Sequence, residues 1–286
     1  MIVSVSGSNG FFGKSLLRKM TEKGWTVRSM DRPSFSLPEE EFRLSLIEGA
    51  DVVINLAGAP VSKKWTPQYK EEIRESRIST TSKIATSILG AKKKPALFIS
   101  ASAIGIYDSV HTHTESSVNY SGSYLANVCL EWETEALKAE TVTRVVIFRT
   151  GLVLGKNGGA LEKMYLPFSI GAGGKIGSGT QAVSFIHLDD LVNAYIYTIE
   201  NTTISQVVNA VAPNPTTNAE LTDTFAKILN QPAWLTVPSF VLKFIYGEGA
   251  CILLEGQKVI PEKLEKAGFR FAYPTVRNAL TRIYKF

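Results

Sequence analysis

The chain begins with a strand-length apolar run, "IVSVS", that passes directly into "GSNGFFGKSLL". Gly7, Gly10 and Gly13 recur every third residue between a strand and a helix, and few folds accommodate that. The first glycine suits a tight turn, the second lets backbone approach a pyrophosphate, and the third lets the helix pack directly on the strand. Asn9, Phe11 and Phe12 stand within the same turn and are candidate cofactor contacts with the glycines.

The rest of the first half repeats the pattern of short apolar strand, turn and helix. Strands are predicted at residues 2–6, 25–30, 51–57, 96–100 and 144–149, with helices after the glycine turn and over residues 67–90 and 124–139. Strands apolar on both faces, alternating with helices, require a parallel sheet covered on both sides. The alternation weakens after Gly151, where "GLVLGKNGGAL", "GAGGKIGSG", "APNPTTN" and "VPSFVLKFIYGEG" are rich in Gly, Pro and Asn. The expected organisation is a nucleotide-binding domain of residues 1–157 and 182–211. Residues 158–181 and 212–286 are expected to form a smaller, mainly helical unit over the substrate.

Charge and cysteine content narrow the function classes. The net charge of +5 is scattered, and the densest run, Lys92 to Lys94, sits in a turn without interleaved aromatics, so no nucleic-acid partner is expected. Cys129 and Cys251 fit neither a disulfide framework nor a structural zinc site. "MIVSVSGSNG" has no basic n-region or cleavage site and no apolar run reaches spanning length, so the expectation is a cytoplasmic chain without a membrane partner. The remaining expected partner is a small-molecule substrate, with a homodimer left open.

The second strand ends in "MDRP". Asp31 suits an adenosine ribose hydroxyl and favours NAD(H); Arg32 suits a 2′-phosphate and favours NADP(H). We read NADP(H), with NAD(H) as the alternative, because Arg32 can lie over the adenosine while Asp31 turns away. "NLAGAP" ends the third strand in small residues, so Leu56, Ala57 and Gly58 are candidates for the edge against which a cofactor presses. Glu72 and Arg77, five residues apart on the next helix, do not share one tight face.

The motifs "NLAGAPVSKKWTPQYKEEIRESRISTT", "SASAIGIYD", "RTGLVLGKNGGALEKMYLPF", "GAGGKIGSGTQAVSFIHLDDL" and "GEGACILLEGQKVIPEKLEKAGFRFAYP" extend over nearly the whole chain. Together they resemble the epimerase-like short-chain dehydrogenase/reductases of the NAD-dependent epimerase/dehydratase family. Members are often labelled sugar-nucleotide epimerases or SulA-related cell-division inhibitors, with a C-terminal segment of unassigned function. The resemblance implies a Rossmann-type doubly wound parallel sheet and NADP(H). It also implies cofactor contacts at Arg32, Ala57, Gly58, Glu72, Arg77, Ser100, Ala101, Gly151, Leu152 and Val153.

In that superfamily a tyrosine exchanges the substrate proton, a lysine four residues on lowers its pKa, and a serine holds the substrate oxygen. Here "GSYLANVCLEWE" places Val128 in the lysine position when Tyr124 is the tyrosine. Aligned on Glu133, it places Leu125 and Cys129 in the two positions. Neither register restores the pair. Ser102 and Tyr107 in "SASAIGIYD" are the candidate catalytic residues. His187 reads as part of a helix start capped by Asp189 or Asp190, Cys129 as a small apolar residue, Trp132 as core, and His111 and His113 as an exposed loop without enough partners for a metal.

Overall fold

The structure, a computed structural model, describes residues 1–285; Phe286, the last residue of the expected smaller unit, lies outside them. Six strands form the main sheet: β1 (Ile2–Ser6), β2 (Thr26–Met30), β3 (Val52–Asn55), β4 (Leu97–Ala103), β5 (Arg144–Thr150) and β6 (Gln206–Ala210). Their order is β2-β1-β3-β4-β5-β6, and every pairing is parallel. The chain steps to one side of β1 for β2 and to the other for β3, which opens a crevice at the carboxyl ends of β1 and β3.

Side-chain alternation builds a core on each face. Val3, Val5, Val52, Ile54, Leu97, Ile99, Val146 and Phe148 meet α1 (Phe11–Glu22) through Leu16 and Met20. Val53, Phe98, Val145 and Ile147 meet the opposite layer, α2 (Pro67–Gly90) and α3 (Tyr124–Leu137), through Ile84, Ala85, Ile88 and Ala136. Thr66 and Ser123 cap α2 and α3 by accepting from the amides of Tyr69 and Ala126. Phe42 and Ile47, in the helical segment 39–47 between β2 and β3, complete the second core.

A smaller layer follows β5. It contains α4 (Gly159–Ser169), α6 (Asn218–Ile228), α7 (Ser239–Tyr246) and α8 (Val276–Lys285), with a strand pair in which Leu235–Val237 runs parallel to Gly174–Ile176. Its core includes Leu161, Phe168, Leu221, Phe225 and Leu280. Between these elements α5 (Leu188–Glu200) returns to the first face of the main sheet, where Tyr195 lies 4.1 Å from Phe148 between ring centroids. Truncating such a fully buried aromatic costs about 3–5 kcal/mol. Residues 258–269, within the span expected for the smaller layer, pack beside the main sheet. Lys258–Val259 pairs with Thr112–His113, and Leu264 and Phe269 join the first core.

Candidate cofactor site and its neighbouring polar network

Each glycine of the first turn is fixed by sterics. Gly7 has φ of +68°, and a Cβ there would lie 2.7 Å from the Leu56 carbonyl, so the loops after β1 and β3 abut across the crevice. A Cβ on Gly13 would lie 2.3 Å from the Gly7 oxygen, which makes direct helix-on-turn packing impossible for any larger residue. Gly10 caps α1 with backbone alone: no side chain bonds the helix start and its first turn carries no acid. The first amides of α1 therefore face the crevice with the positive end of the helix dipole, an arrangement suited to a pyrophosphate. Asn9 is exposed beside them.

The Phe11 and Phe12 rings pack against neighbouring elements. The Phe11 ring is enclosed by the loop after β5, where Cβ atoms on Gly155 and Gly158 would lie 2.7 and 2.2 Å from it. Phe12 packs edge-on against Tyr195 at 4.9 Å.

The loop after β3 is held from below by a buried polar chain. The Ser6 hydroxyl donates to Asn55 Oδ1, Asn55 Nδ2 donates to Thr81 at 2.7 Å, and the amides of Leu56 and Ala57 donate to Ser6 Oγ at 3.1 and 3.3 Å. Above it, the Ala59 amide donates to Ser76 at 2.9 Å, and Arg77 donates to the carbonyls of Ala59 and Ile73 at 3.1 and 2.8 Å. Gly58 lets the Arg77 guanidinium lie close, since a Cβ there would sit 3.0 Å from its carbon. Arg77 also lies 5.2 Å above the Trp132 ring and has no carboxylate partner among the described residues; burial holds its pKa below the usual value. Glu72 is exposed and makes no bond among the described residues.

At the end of β2 the two competing side chains part. The Asp31 carboxylate accepts from the Ser34 hydroxyl and amide, and these bonds lower its pKa. The exposed Arg32 guanidinium makes no hydrogen bond or ion pair among the described residues. Asp31 is committed to its own turn, and the cation beside it is not.

The candidate catalytic residues Ser102 and Tyr107 belong to a polar network that joins β4, α3 and β5. Glu133, on the buried stripe of α3, accepts from Arg149 Nε and Nη2 at 2.8 and 2.7 Å and from the Ser102 hydroxyl at 2.6 Å. Arg149 Nη1 donates to the Tyr107 hydroxyl at 2.8 Å, which itself donates to Asn209 at 2.9 Å. Tyr107 is fully buried and burial raises its pKa, with Arg149 opposing. The Tyr107 hydroxyl is thus held between Arg149 and Asn209, and the Ser102 hydroxyl donates its proton to Glu133. The sequence reading missed Glu133, Arg149 and Asn209 as a unit. Two signals were available: a charge ending the apolar run of β5, and an acid on the Ala126, Cys129, Glu133, Ala136 stripe of α3.

Other expectations divide similarly. Trp132 is core, and Cys129 is buried, its thiol pushed up to about 11 by burial and the nearby Glu133. Val128 is buried too, while the Tyr124 hydroxyl donates to the Lys70 carbonyl and its ring meets Trp65. His113 is not in an exposed loop: it is fully buried, stacks on Tyr107 at 4.6 Å and contacts Asp108 through Nε2. His187, and not an aspartate, caps α5, with Nδ1 accepting from the Asp189 amide at 3.1 Å; burial lowers its pKa to about 4. Asp190 instead accepts from the amides of Ala272 and Tyr273 at 2.9 Å each.

The remaining candidates sit at the carboxyl ends of β4 and β5. Ser100 is buried and Ala101 half-buried on β4. A Cβ on Gly151 would lie 2.4 Å from the Ser184 oxygen, so that glycine serves strand packing. Leu152 and Val153, half-buried, pair in parallel with Phe185 and Ile186.

A doubly wound parallel sheet with a glycine-lined helix start, free of side-chain caps, at its switch point defines a dinucleotide-binding protein of the Rossmann class. More narrowly, the chain belongs to the NAD dependent epimerase/dehydratase family, whose model matches residues 3–210, and residues 237–283 match a domain of unknown function, DUF1731. It is 40% identical over 300 residues to the epimerase family protein SDR39U1 homolog, chloroplastic, of Arabidopsis thaliana, covering 99% of this chain and 86% of that protein. It is 35% identical to the epimerase family protein YfhF of Bacillus subtilis, covering 99% and 98%. The crystal structure of human epimerase family protein SDR39U1 with NADPH matches with a TM-score of 0.93 at 32% identity, over 100% of this chain and 99% of that one. UDP-glucuronic acid 4-epimerase from Bacillus cereus shares the fold, with a TM-score of 0.81 at 17% identity.

Proposed function

We propose that the protein binds NADP(H) in the crevice between β1 and β3 and is an oxidoreductase or epimerase-type enzyme for a small polar or nucleotide-linked substrate. The observation that carries the reading is the split between Asp31, bonded within its own turn, and Arg32, whose guanidinium has no protein partner among the described residues. A lone guanidinium there matches a 2′-phosphate, and the NADPH of the human relative agrees with it. The α1 amides and the glycines at 7, 10 and 13 hold the pyrophosphate, and the buttressed segment 56–58 forms the wall beside it. Glu72, Arg77, Ser100, Ala101, Gly151, Leu152 and Val153 complete the proposed lining.

Bound NADP(H) supplies hydride exchange. The chain supplies position and dryness: Val128 and Cys129 stand where the superfamily lysine would activate a tyrosine, so the compensating proton comes from water or from the substrate itself. A second reading, an NADP(H) sensor without turnover, is favoured by the Ser102 and Tyr107 hydroxyls being consumed inside the protein. Following loss of reduced-nicotinamide absorbance across carbonyl and sugar-nucleotide panels separates the two. Turnover on any compound supports the enzyme; tight NADPH binding with none supports the sensor.

A further inference from the structure

We propose that the outer face of the smaller layer docks on an anionic lipid bilayer. Six large apolar side chains there point to solvent: Trp234 is 91% exposed, Phe244 84%, Phe240 72%, Ile170 69%, Leu166 67% and Leu235 54%. At ~200 Å² for each large side chain, these fractions leave on the order of 900 Å² of apolar surface, above the few hundred Å² usual for a free soluble surface.

Their elements adjoin one another. Leu166 and Ile170 are one turn apart at the end of α4. A Cβ on Gly171 would lie 3.4 Å from Pro232, two residues before Trp234. Leu235 pairs with Gly174, and Ser239 lies against Gly177 at the start of α7, which carries Phe240 and Phe244. The fold does not need these side chains: α4 buries Leu161 and Phe168, and α7 buries Leu242, all on their inner sides.

Charge selects the occupant. Residues 159–177 and 231–247 contain Lys163, Lys175 and Lys243 against the single acid Glu162. Lys163 donates to the Ser62 hydroxyl at 2.7 Å, which ties in the loop bearing exposed Lys63 and Lys64. The nearby Glu248 pairs with Lys70 at 2.7 Å. A second copy would bring lysine rims together, whereas an anionic bilayer takes the aromatic and aliphatic tips into its interface and the lysines at its headgroups. The sequence expectation of no membrane partner rests on the lack of a spanning run, and an interfacial face requires none. No helix among the described residues is long and apolar enough to cross a membrane.

The test is co-sedimentation of the full chain with vesicles of phosphatidylcholine alone or mixed with phosphatidylserine, with Trp234 fluorescence read in parallel. The wild type is expected to bind the anionic vesicles with a blue shift that Trp234→Phe removes, and added salt should weaken binding. Phe240→Ser with Phe244→Ser, both exposed and safe for folding as checked by circular dichroism, should weaken binding by about tenfold or more. Absence of binding, equal binding by the double variant, or a wild-type dimer that the double variant dissociates would each overturn the proposal.

Discussion

Glu133→Gln keeps the shape of a side chain that is 8% exposed while removing the charge opposite Arg149, which is 3% exposed. The carboxylate accepts two guanidinium bonds, at 2.8 and 2.7 Å, and an amide can accept only one of them while turning its own donors toward the other. Ser102 also loses a charged acceptor. What remains is a buried cation with incomplete compensation, expected to cost about 3–5 kcal/mol. An exposed pair such as Arg18 and Glu22, 74% and 55% exposed at 3.8 Å, is worth about 0–1 kcal/mol by contrast. Glu133→Leu combined with Arg149→Met removes both charges and should recover most of the loss. Urea unfolding followed by circular dichroism measures the cycle. A single-variant cost below about 1 kcal/mol, or a double variant no more stable than the single, would refute the reasoning.

Three further outcomes are expected. Gly13→Ala forces a methyl against the Gly7 oxygen at 2.3 Å and should weaken NADPH binding by about tenfold or more, with a loss of about 1–3 kcal/mol in stability; unchanged titrations would contradict it. Burial holds His187 near a pKa of about 4 against 6.5 when free, so the unfolded chain binds the proton more readily. Its stabilisation is thus full above pH 6.5 and is lost as the pH falls toward 4. Between those limits the wild type should lose on the order of 2–3 kcal/mol more than His187→Asn, which keeps a cap acceptor, and equal losses would count against the assignment. Of the two free thiols, buried Cys129 should resist a thiol reagent at neutral pH until urea is added, while half-buried Cys251 reacts first; rapid labelling of both in the native state would contradict this.

The sheet was legible because its strands are uninterrupted apolar runs and its glycines are dictated by contacts between neighbouring loops. Strand and helix limits followed from the same pattern, with residues 67–90 matching α2 and β4 running three residues past its expected end to include Ser102. The polar network was not legible, since Glu133, Arg149, Tyr107 and Asn209 lie up to 102 residues apart and only strand order brings them together. His113 was misread for a related reason: its burial comes from the distant 258–260 segment, which no local pattern reveals. The bond between Asp31 and Ser34, which separates the behaviour of Asp31 from that of Arg32, depends on a side-chain orientation that the sequence does not fix.

The proposed NADP(H) site rests on Arg32 and the first glycine turn. Calorimetric titration of the wild type and Arg32→Ala with NADPH and NADH separates their contributions. The wild type should prefer NADPH, and Arg32→Ala should cut that preference by roughly 10- to 100-fold while NADH affinity stays unchanged, in line with one charge-assisted phosphate contact. Equal NADPH affinity in both proteins, or a wild-type preference for NADH, would contradict it.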